Sequence, residues 1–375
     1  MSSTRIKASI NLDNIVKNLE AFKSNINDDT KIMAVIKADG YGHGAVRIAK
    51  KIEKIDYLYG FCVATAEEAI ELRDAWITKP ILILGYTFKE DYETLIRNNI
   101  ILTVFTDEML DEISETARLL NMTASVHVKL DTGMSRIGIK PDDAGLEFVK
   151  RVNSKENVSL DGMFTHFARA DEYDKTKAYE QLKKYTSFAK TIEDEGINIP
   201  IKHCSNSAGI IELKEANLDI VRAGITLYGL WPSDEVSKDI IPLHPAMQLS
   251  SHISFVKELD NGAEISYGGT YQVFSKMKVA TVPCGYADGI PRGLSNKGYV
   301  LVHGQKAPIV GRVCMDQFMI DVSKIDDVKV RDEVIIIGSQ GEETISAEEV
   351  GDISGRFNYE LVCDISKRVP RIYEE

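Results

Sequence analysis

The feature that most constrains the fold is a regular alternation of short apolar segments with amphipathic helical segments from about residue 12 to residue 230. Segments that are apolar on both faces favour a parallel sheet covered by helices. Eight such units in about 220 residues predict an α/β fold, a closed (β/α)₈ TIM-type barrel, with a doubly wound open sheet as the alternative. The predicted strands are "KIMAVIKA" (31–38), "YLYGFCVA" (57–64), "ILILGY" (81–86), "IILTVF" (100–105), "SVHVKLD" (125–131), "LDGMFTHF" (160–167), "IKHCSNS" (201–207) and "IVRAGITLYG" (220–229).

The pattern changes after residue 240. Strand-like segments such as "LSSHISFVKEL" and "EVIIIG" are separated by turns that contain Gly and Asp, and "HGQ" (303–305) predicts a hairpin turn. Long helices are missing, although "SAEEVGDIS" suits a short one. We therefore predict a barrel over residues 1–240, whose first ten or so residues pack on the second domain, and a mainly β domain over residues 241–375.

Charge and hydropathy exclude several classes of protein. The chain of 375 residues has 45 Lys and Arg against 57 Asp and Glu, and this net charge of −12 argues against binding to nucleic acid or an anionic membrane. No apolar run reaches the length of a membrane span, and the N-terminal sequence lacks the core of a signal peptide. The five cysteines are scattered without a CxxC pair, which favours free thiols. We expect a cytoplasmic protein.

Polar residues collect at the ends of five predicted strands. Lysine, arginine, histidine, serine and asparagine side chains stand there: Lys37, Lys129, Arg136, His166, His203, Asn206, Ser207 and Arg222, with Asp131 as the one acid. A barrel enzyme has its active site at the carboxyl ends of its strands, so these residues predict a site. Asp131 is expected to pair with a neighbouring base.

The chemistry of this cluster favours an anionic ligand and excludes a metal, since metal ligands would include more carboxylates. "NSAG" (206–209) and "RAGI" (222–225) offer backbone N–H groups and a hydroxyl suited to a phosphate. A buried lysine with a lowered pKa can form a Schiff base with an aldehyde, and Lys37 follows a buried run. Pyridoxal 5′-phosphate (PLP) or the substrate of a Schiff-base aldolase fits these groups.

The motifs resemble those of alanine racemases. "AVIKADGYGHGA" (34–45) is similar to the signature around that family's PLP lysine, and the resemblance runs from about residue 5 to the C-terminal end. Further family motifs follow in the same order: "HVKLDTGMSRIGI" (127–139), "GMFTHFA" (162–168), "HCSNSAG" (203–209), "VRAGITLYG" (221–229), "ISYGGTY" (265–271), "GYADGIPR" (285–292), "GRVCMDQFMID" (311–321) and "NYE" (358–360).

The resemblance implies a two-base mechanism. Lys37 would carry PLP and act as the base on one face of the cofactor, while Tyr267 of the second subunit of a homodimer would act on the other. A tyrosine needs help to be a base near neutral pH. His166, held by Arg222, would give that help, and Arg222 would stand beside the pyridine nitrogen.

The resemblance also implies the binding residues. It implies that Arg136 and the backbone at Met315 of the second subunit bind the substrate carboxylate. It also implies that Lys129 is a candidate for carbamylation, and that the added negative charge orients Arg136. No metal is expected. The cofactor-binding residues are Lys37, Tyr41, His166, Asn206, Ser207, Arg222, Gly224, Ile225 and Tyr359.

The implied function is the interconversion of L- and D-alanine, which supplies D-alanine for cell-wall peptidoglycan. Three alternatives stay open: a racemase for serine or a broader range of amino acids, a PLP amino-acid decarboxylase of the same architecture, and a non-catalytic PLP carrier. Arg222 argues against the decarboxylase, because such enzymes use an acidic partner for the pyridine nitrogen. Tyr359 favours a small substrate, and the C-terminal domain with Tyr267 and Met315 argues against the carrier.

Overall fold

A computed structural model describes residues 5–375 of the chain. The strands are β1 (Ile6–Asn11), β2 (Lys31–Val35), β3 (Leu58–Val63), β4 (Ile81–Ile83), β5 (Leu102–Val104), β6 (Ala124–Lys129), β7 (Val158–Phe164), β8 (Ile201–His203), β9 (Ile220–Ala223), β10 (Met247–His252), β11 (Phe255–Leu259), β12 (Glu264–Ile265), β13 (Tyr271–Gln272), β14 (Met277–Val282), β15 (Tyr299–Val302), β16 (Gln305–Val310), β17 (Phe318–Asp321), β18 (Glu333–Gln340), β19 (Glu343–Ile345) and β20 (Arg371–Glu374).

The helical segments alternate with the strands in the first part of the chain and are short in the second. They are α1 (Leu12–Asn25), α2 (Lys37–Tyr41), α3 (Ala45–Ile52), α4 (Ala66–Asp74), α5 (Lys89–Arg97), α6 (Asp107–Leu120), α7 (Asp143–Ser154), α8 (Thr176–Asp194), α9 (Ser207–Glu212), α10 (Ala347–Ser354) and α11 (Asn358–Cys363). Five 3-10 turns span Lys214–Ala216, Ile225–Tyr228, Tyr267–Gly269, Tyr286–Asp288 and Arg292–Leu294.

The described residues form two compact units. One contains residues 15–40 and 44–244, and the other contains residues 5–14, 41–43 and 245–375. This division places the change of architecture at residues 244/245, and the sequence predicted it at 240/241.

The first unit is the predicted barrel. Strands β2 to β9 are parallel, in the orders β4-β3-β2-β9 and β5-β6-β7-β8, and a parallel bridge from Leu82 to Ile101 joins the two groups. On the other side, the N–H of Asp219, just before β9, donates to the carbonyl of Lys202 on β8, so the ring of eight strands closes. The strands are buried on both faces, as expected for a sheet that encloses a core and carries helices outside.

The helices of the barrel bury one apolar face against the sheet and expose their polar face. In α3 the buried residues Ala45, Ile48, Ala49 and Ile52 have the spacing of one face. Side-chain caps fix several helix starts; for example, the hydroxyl oxygen of Thr65 accepts a hydrogen bond from the N–H of Glu68 at the start of α4. The fold class predicted from the sequence is therefore confirmed.

The observed barrel strands are shorter than predicted, mainly at their carboxyl ends. Lys37 does not end a strand, because β2 stops at Val35 and the chain turns. The strand prediction over 220–229 is wrong in its second half, because residues 225–228 form a 3-10 turn after Gly224. Polar site residues at these points lie just beyond the strands, at the carboxyl end of the barrel.

The second unit is a mainly β domain. Its largest sheet has the order β11-β14-β17-β16-β15-β18-β10-β1-β20, with β19 on β18. Strand β1 pairs antiparallel with β10 and parallel with β20. The hairpin turn predicted at "HGQ" is confirmed, since His303 and Gly304 link β15 to β16 with φ of 50° and 71°, the positive values of a two-residue hairpin loop. The short helix predicted at "SAEEVGDIS" is also present, as α10.

Candidate active site

Strand register brings the predicted polar residues side by side. Lys129 on β6 is aligned with Phe164 on β7, and Phe164 is aligned with His203 on β8. On β9, the N–H of Arg222 donates to the carbonyl of Ser205, just past β8. Residues at the carboxyl ends of four adjacent parallel strands thus meet at one end of the barrel, where barrel enzymes carry out their chemistry.

Arg222 is the centre of this cluster. Its side chain is buried, with 2% of the residue exposed. One terminal nitrogen donates to His203 Nδ1 at 2.9 Å, and the other donates to the carbonyls of Thr165 at 2.7 Å and Cys204 at 3.0 Å. The second nitrogen also lies 3.3 Å from His166 Nδ1. No carboxylate within residues 5–375 is hydrogen-bonded to Arg222; carbonyls and imidazoles surround the guanidinium, which also lies over the ring of Phe164 at 5.4 Å from its centre.

Arg222 fixes the proton positions of two imidazoles, because a guanidinium only donates hydrogen bonds. His203 must accept at Nδ1, so its Nε2–H donates to His127 Nδ1 at 3.0 Å, and the proton of His127 is on Nε2. Burial, with Arg222 nearby, lowers the pKa of His166 and of His203 well below the usual value, and burial lowers that of His127 to about 4. All three rings are therefore neutral near pH 7.

Lys129 lies next to the same arginine. Its Nζ donates to the carbonyl of Leu130 at 2.6 Å and stands 5.4 Å from the centre of the Phe164 ring. Burial, followed by repulsion from Arg222, lowers the pKa of Lys129 to about 7. Roughly half of these amines are then neutral at pH 7, against less than about one in a thousand for an ordinary lysine.

The loop after β6 presents Arg136. Asp131 Oδ1 accepts hydrogen bonds from the N–H groups of Gly133, Met134 and Ser135, each at 3.0 Å. These bonds lower the pKa of Asp131 against the effect of burial, and the charge of Lys129 helps. The sequence predicted a base as the partner of Asp131; its hydrogen bonds instead shape the loop that carries the exposed Arg136.

A buried glutamine on α8 ties the loops of Arg136 and His166 together. Gln181 Nε2 donates to Thr132 Oγ1 and to the carbonyl of His166, both at 3.2 Å, and its Oε1 accepts from the N–H of Ala168 at 2.9 Å. Sequence reasoning missed Gln181, because a polar residue in a helix is ordinarily solvent-facing and nothing in its local pattern marks it.

Ser207 and Gly224 form the predicted anion-binding corner. The N–H of Gly224 donates to Ser207 Oγ at 3.0 Å, so the serine hydroxyl keeps its own proton to donate. Asn206 Oδ1 accepts from the N–H of Gly209 at 3.1 Å and caps α9. Ile225 follows Gly224 and is buried at the start of the 3-10 turn.

The turn after β2 holds Lys37 in an unusual backbone. Ala38, Asp39 and Gly40 have φ of 52°, 51° and 61°, a left-handed conformation that costs L-residues roughly 1–2 kcal/mol each. Two hydrogen bonds within the turn offset this cost: the N–H of Gly40 donates to the carbonyl of Ile36, and the N–H of Ala45 donates to Asp39 Oδ1, both at 2.8 Å.

The remaining predicted residues lie in the β-rich unit. The rings of Tyr41 and Tyr359 are 6.0 Å apart between centroids. Tyr267 and Met315 line a surface pocket of about 690 Å³ and are 72% and 52% exposed. The carbonyl of Met315 accepts from the N–H of Ala287 at 3.0 Å, while its own N–H makes no hydrogen bond within residues 5–375.

The barrel and its cluster of lysine, arginine and histidine define an α/β-barrel enzyme with a cationic site. The sequence profiles of two families cover nearly the whole chain: the alanine racemase N-terminal domain over residues 10–232 and the alanine racemase C-terminal domain over residues 246–373. The chain belongs to the alanine racemase family. The family and the enzyme class, an amino-acid racemase, are therefore as predicted from the motifs.

Individual relatives agree over their full length. An alanine racemase of Methanococcus maripaludis is 46% identical over 373 residues, which cover 100% of both chains. A solved alanine racemase of Clostridium difficile 630 has a TM-score of 0.96 and 45% identity, over 100% of this chain and 97% of that one. A Bacillus anthracis alanine racemase solved with bound L-Ala-P has a TM-score of 0.92 and 36% identity, over 100% and 96%.

Proposed function

We propose that the chain interconverts L- and D-alanine with PLP as its cofactor, and that it acts as a homodimer in the cytoplasm to supply D-alanine for peptidoglycan. The observation that carries the proposal is the environment of Arg222, in a chain that is similar along its whole length to alanine racemases. In the described residues, no helix is both long and apolar enough to cross a bilayer.

The groups of the barrel fit PLP. The Nε–H of Arg222 is the one donor of that buried guanidinium with no acceptor within residues 5–375, and it suits a ring nitrogen with a lone pair. The free hydroxyl proton of Ser207 suits a phosphate oxygen, and Lys37 suits the aldehyde. Asn206, Gly224 and Ile225, with Tyr41 and Tyr359, would complete the cofactor-binding set.

Bound PLP would supply an electron sink that makes the hydrogen on the substrate α-carbon acidic. Lys37 Nζ would take this proton from D-alanine, and the phenol oxygen of the partner subunit's Tyr267 would take it from L-alanine. The position of His166, 3.3 Å from the Arg222 guanidinium, supports this assignment, since an imidazole N–H can stabilise a phenolate. The exposure of Tyr267 and Met315 on one pocket supports their use by a partner subunit.

Arg222 also bears on the choice of reaction. An arginine cannot give up its proton, so a ring nitrogen that faced it would stay unprotonated and would withdraw electrons less strongly. Return of the proton to the α-carbon would then be favoured over side reactions such as transamination. A PLP decarboxylase would be expected to place a carboxylate here, and no carboxylate within residues 5–375 contacts the guanidinium.

A substrate panel tests the proposed specificity. The purified chain with PLP is incubated separately with L-alanine, L-serine, L-lysine and L-ornithine, and the products are separated on a chiral column while released CO₂ is trapped. We expect D-alanine to form fastest and no CO₂ to appear. A higher rate with serine or lysine would support a broader racemase, and CO₂ from ornithine would support a decarboxylase.

Shared sites predict complementation between two inactive variants. Lys37→Ala and Tyr267→Phe subunits are mixed under conditions that allow exchange. Each heterodimer then has one site with both bases, so at equal mixing about half of the dimers carry one working site, and the mixture recovers about one quarter of the wild-type activity. Mass spectrometry of isotope-labelled subunits controls for exchange, and exchange without recovered activity would contradict shared sites.

A second expectation concerns Lys129, whose amine we propose to be carbamylated so that the added carboxylate orients Arg136. The neutral amine attacks CO₂ and releases one proton, and the lowered pKa makes that amine available at pH 7. At fixed CO₂ pressure, carbamate should increase as the pH rises through 7. We expect a carbamate signal in ¹³C NMR under ¹³CO₂, absent in Lys129→Gln, and reversible loss of activity in CO₂-free buffer. A wild-type spectrum without the signal would refute the modification.

A further inference from the structure

A carboxylate on α4 is hydrogen-bonded to the backbone next to Lys37. Glu68 Oε1 accepts from the N–H of Ala38 at 2.6 Å, and its Oε2 accepts from the N–H of Ala64, just after β3, at 2.7 Å. Both are short, charge-assisted bonds, which are roughly twice as strong as neutral ones. Glu68 therefore ties the residue after Lys37 to the end of the neighbouring strand.

The bond from Ala38 matters because this is the first residue of the left-handed turn. Ala38 and Asp39 hold positive φ although they have side chains, and such backbone persists only where surrounding contacts enforce it. Backbone N–H groups further along the turn, those of Gly40, Gly44 and Ala45, make bonds of their own. Glu68 holds the peptide that joins Lys37 to Ala38 through the N–H of Ala38.

We propose that Glu68 is a positioning residue for Lys37: its carboxylate holds the strained turn that aims the lysine amine at the reacting centre. The catalytic role of Lys37 in this proposal rests on the proposed function. The effect of Glu68 on the conformation of the turn does not depend on it. The Glu68 carboxylate acts on backbone N–H groups, those of Ala38 and Ala64. Its effect passes through the peptide plane after Lys37, which sets the direction in which that side chain leaves the backbone.

The matched test compares Glu68→Gln with Glu67→Gln. Both remove one negative charge from the first turn of α4, but the exposed Glu67 is not bonded to Ala38. In Glu68→Gln the amide nitrogen faces a backbone N–H, so one bond is lost. We expect kcat/KM to fall by about 10- to 100-fold in Glu68→Gln and to change less than twofold in Glu67→Gln.

Two readouts separate positioning from general destabilisation. Amide hydrogen exchange over residues 38–44 should become faster only in Glu68→Gln, a result that does not depend on racemisation. The α-deuterium isotope effect should increase for D-alanine and decrease for L-alanine, because proton transfer at Lys37 becomes more rate-limiting. Adding Ala38→Gly, which adopts positive φ without cost, should restore part of the lost activity.

Unchanged exchange over residues 38–44 in Glu68→Gln would overturn the proposal, whatever the enzyme racemises. Faster exchange with an unchanged isotope effect would overturn the link to Lys37. Inactive wild-type protein would instead count against the proposed function and leave the exchange result to decide the conformational role. If Glu68→Gln does not fold, Glu68→Asp makes the same comparison, since its shorter side chain cannot reach both N–H groups.

Discussion

Replacing Lys37 with alanine is expected to abolish racemisation, by more than about 10⁴-fold, together with the visible absorbance of a lysine-bound cofactor. One side chain would supply both the covalent hold on PLP and the base for D-alanine, so both properties depend on the same amine. The turn that carries it is held by backbone and carboxylate contacts that do not involve that amine, so the variant should fold.

The control for this prediction is Lys129→Gln, which removes another lysine near Arg222. It should keep the visible absorbance, because Lys129 is assigned to the orientation of Arg136 and not to the cofactor. If Lys37→Ala retained the absorbance while Lys129→Gln lost it, the roles of the two lysines would have to be exchanged.

Replacing Tyr267 with phenylalanine is expected to lower racemisation by about 10²- to 10⁴-fold while the visible absorbance stays. At an equilibrium constant of one, kcat/KM must fall equally in both directions, so rates alone do not identify the face. Exchange of the α-hydrogen with solvent deuterium identifies the face on which Tyr267 acts. In D₂O the variant should still introduce deuterium into D-alanine through Lys37, without forming L-alanine, while L-alanine stays unlabelled.

Tyr286→Phe is a suitable comparison, because Tyr286 is another exposed tyrosine of the β-rich unit and has no assigned role in proton transfer. It should retain exchange from both enantiomers. Equal labelling of L- and D-alanine by Tyr267→Phe would mean that another group acts on the second face, and the two-base assignment would fail.

The order of the barrel and the position of its site follow from the sequence, for a physical reason. A strand buried on both faces needs an unbroken apolar run, so a Lys, His or Arg at its end stands out, as Lys129, His203 and Arg222 do. Parallel strands then bring their carboxyl ends to the same side. Strand lengths were overestimated because Gly224 and the turn after Val35 interrupt the backbone where the side chains still look suitable for a strand.

Other parts of the site are not marked by any pattern in the neighbouring sequence. Gln181 and Glu68 resemble ordinary polar positions on a helix, and each accepts a hydrogen bond from a backbone N–H that is distant in the sequence, 13 residues away for Gln181 and 30 residues away for Glu68. The left-handed turn includes Ala38, a residue with no preference for positive φ. Tyr267 lies in a short 3-10 turn, one of 15 tyrosines, and only its motif distinguishes it.

The most direct test of the central claim is proton NMR of L-alanine in D₂O with the purified protein and added PLP, followed by chiral analysis of the same tube. The account predicts that the α-proton signal disappears while D-alanine accumulates towards an equal mixture. An unchanged spectrum from protein that visibly holds PLP would contradict it, and exchange of the α-proton without any D-alanine would contradict the second base.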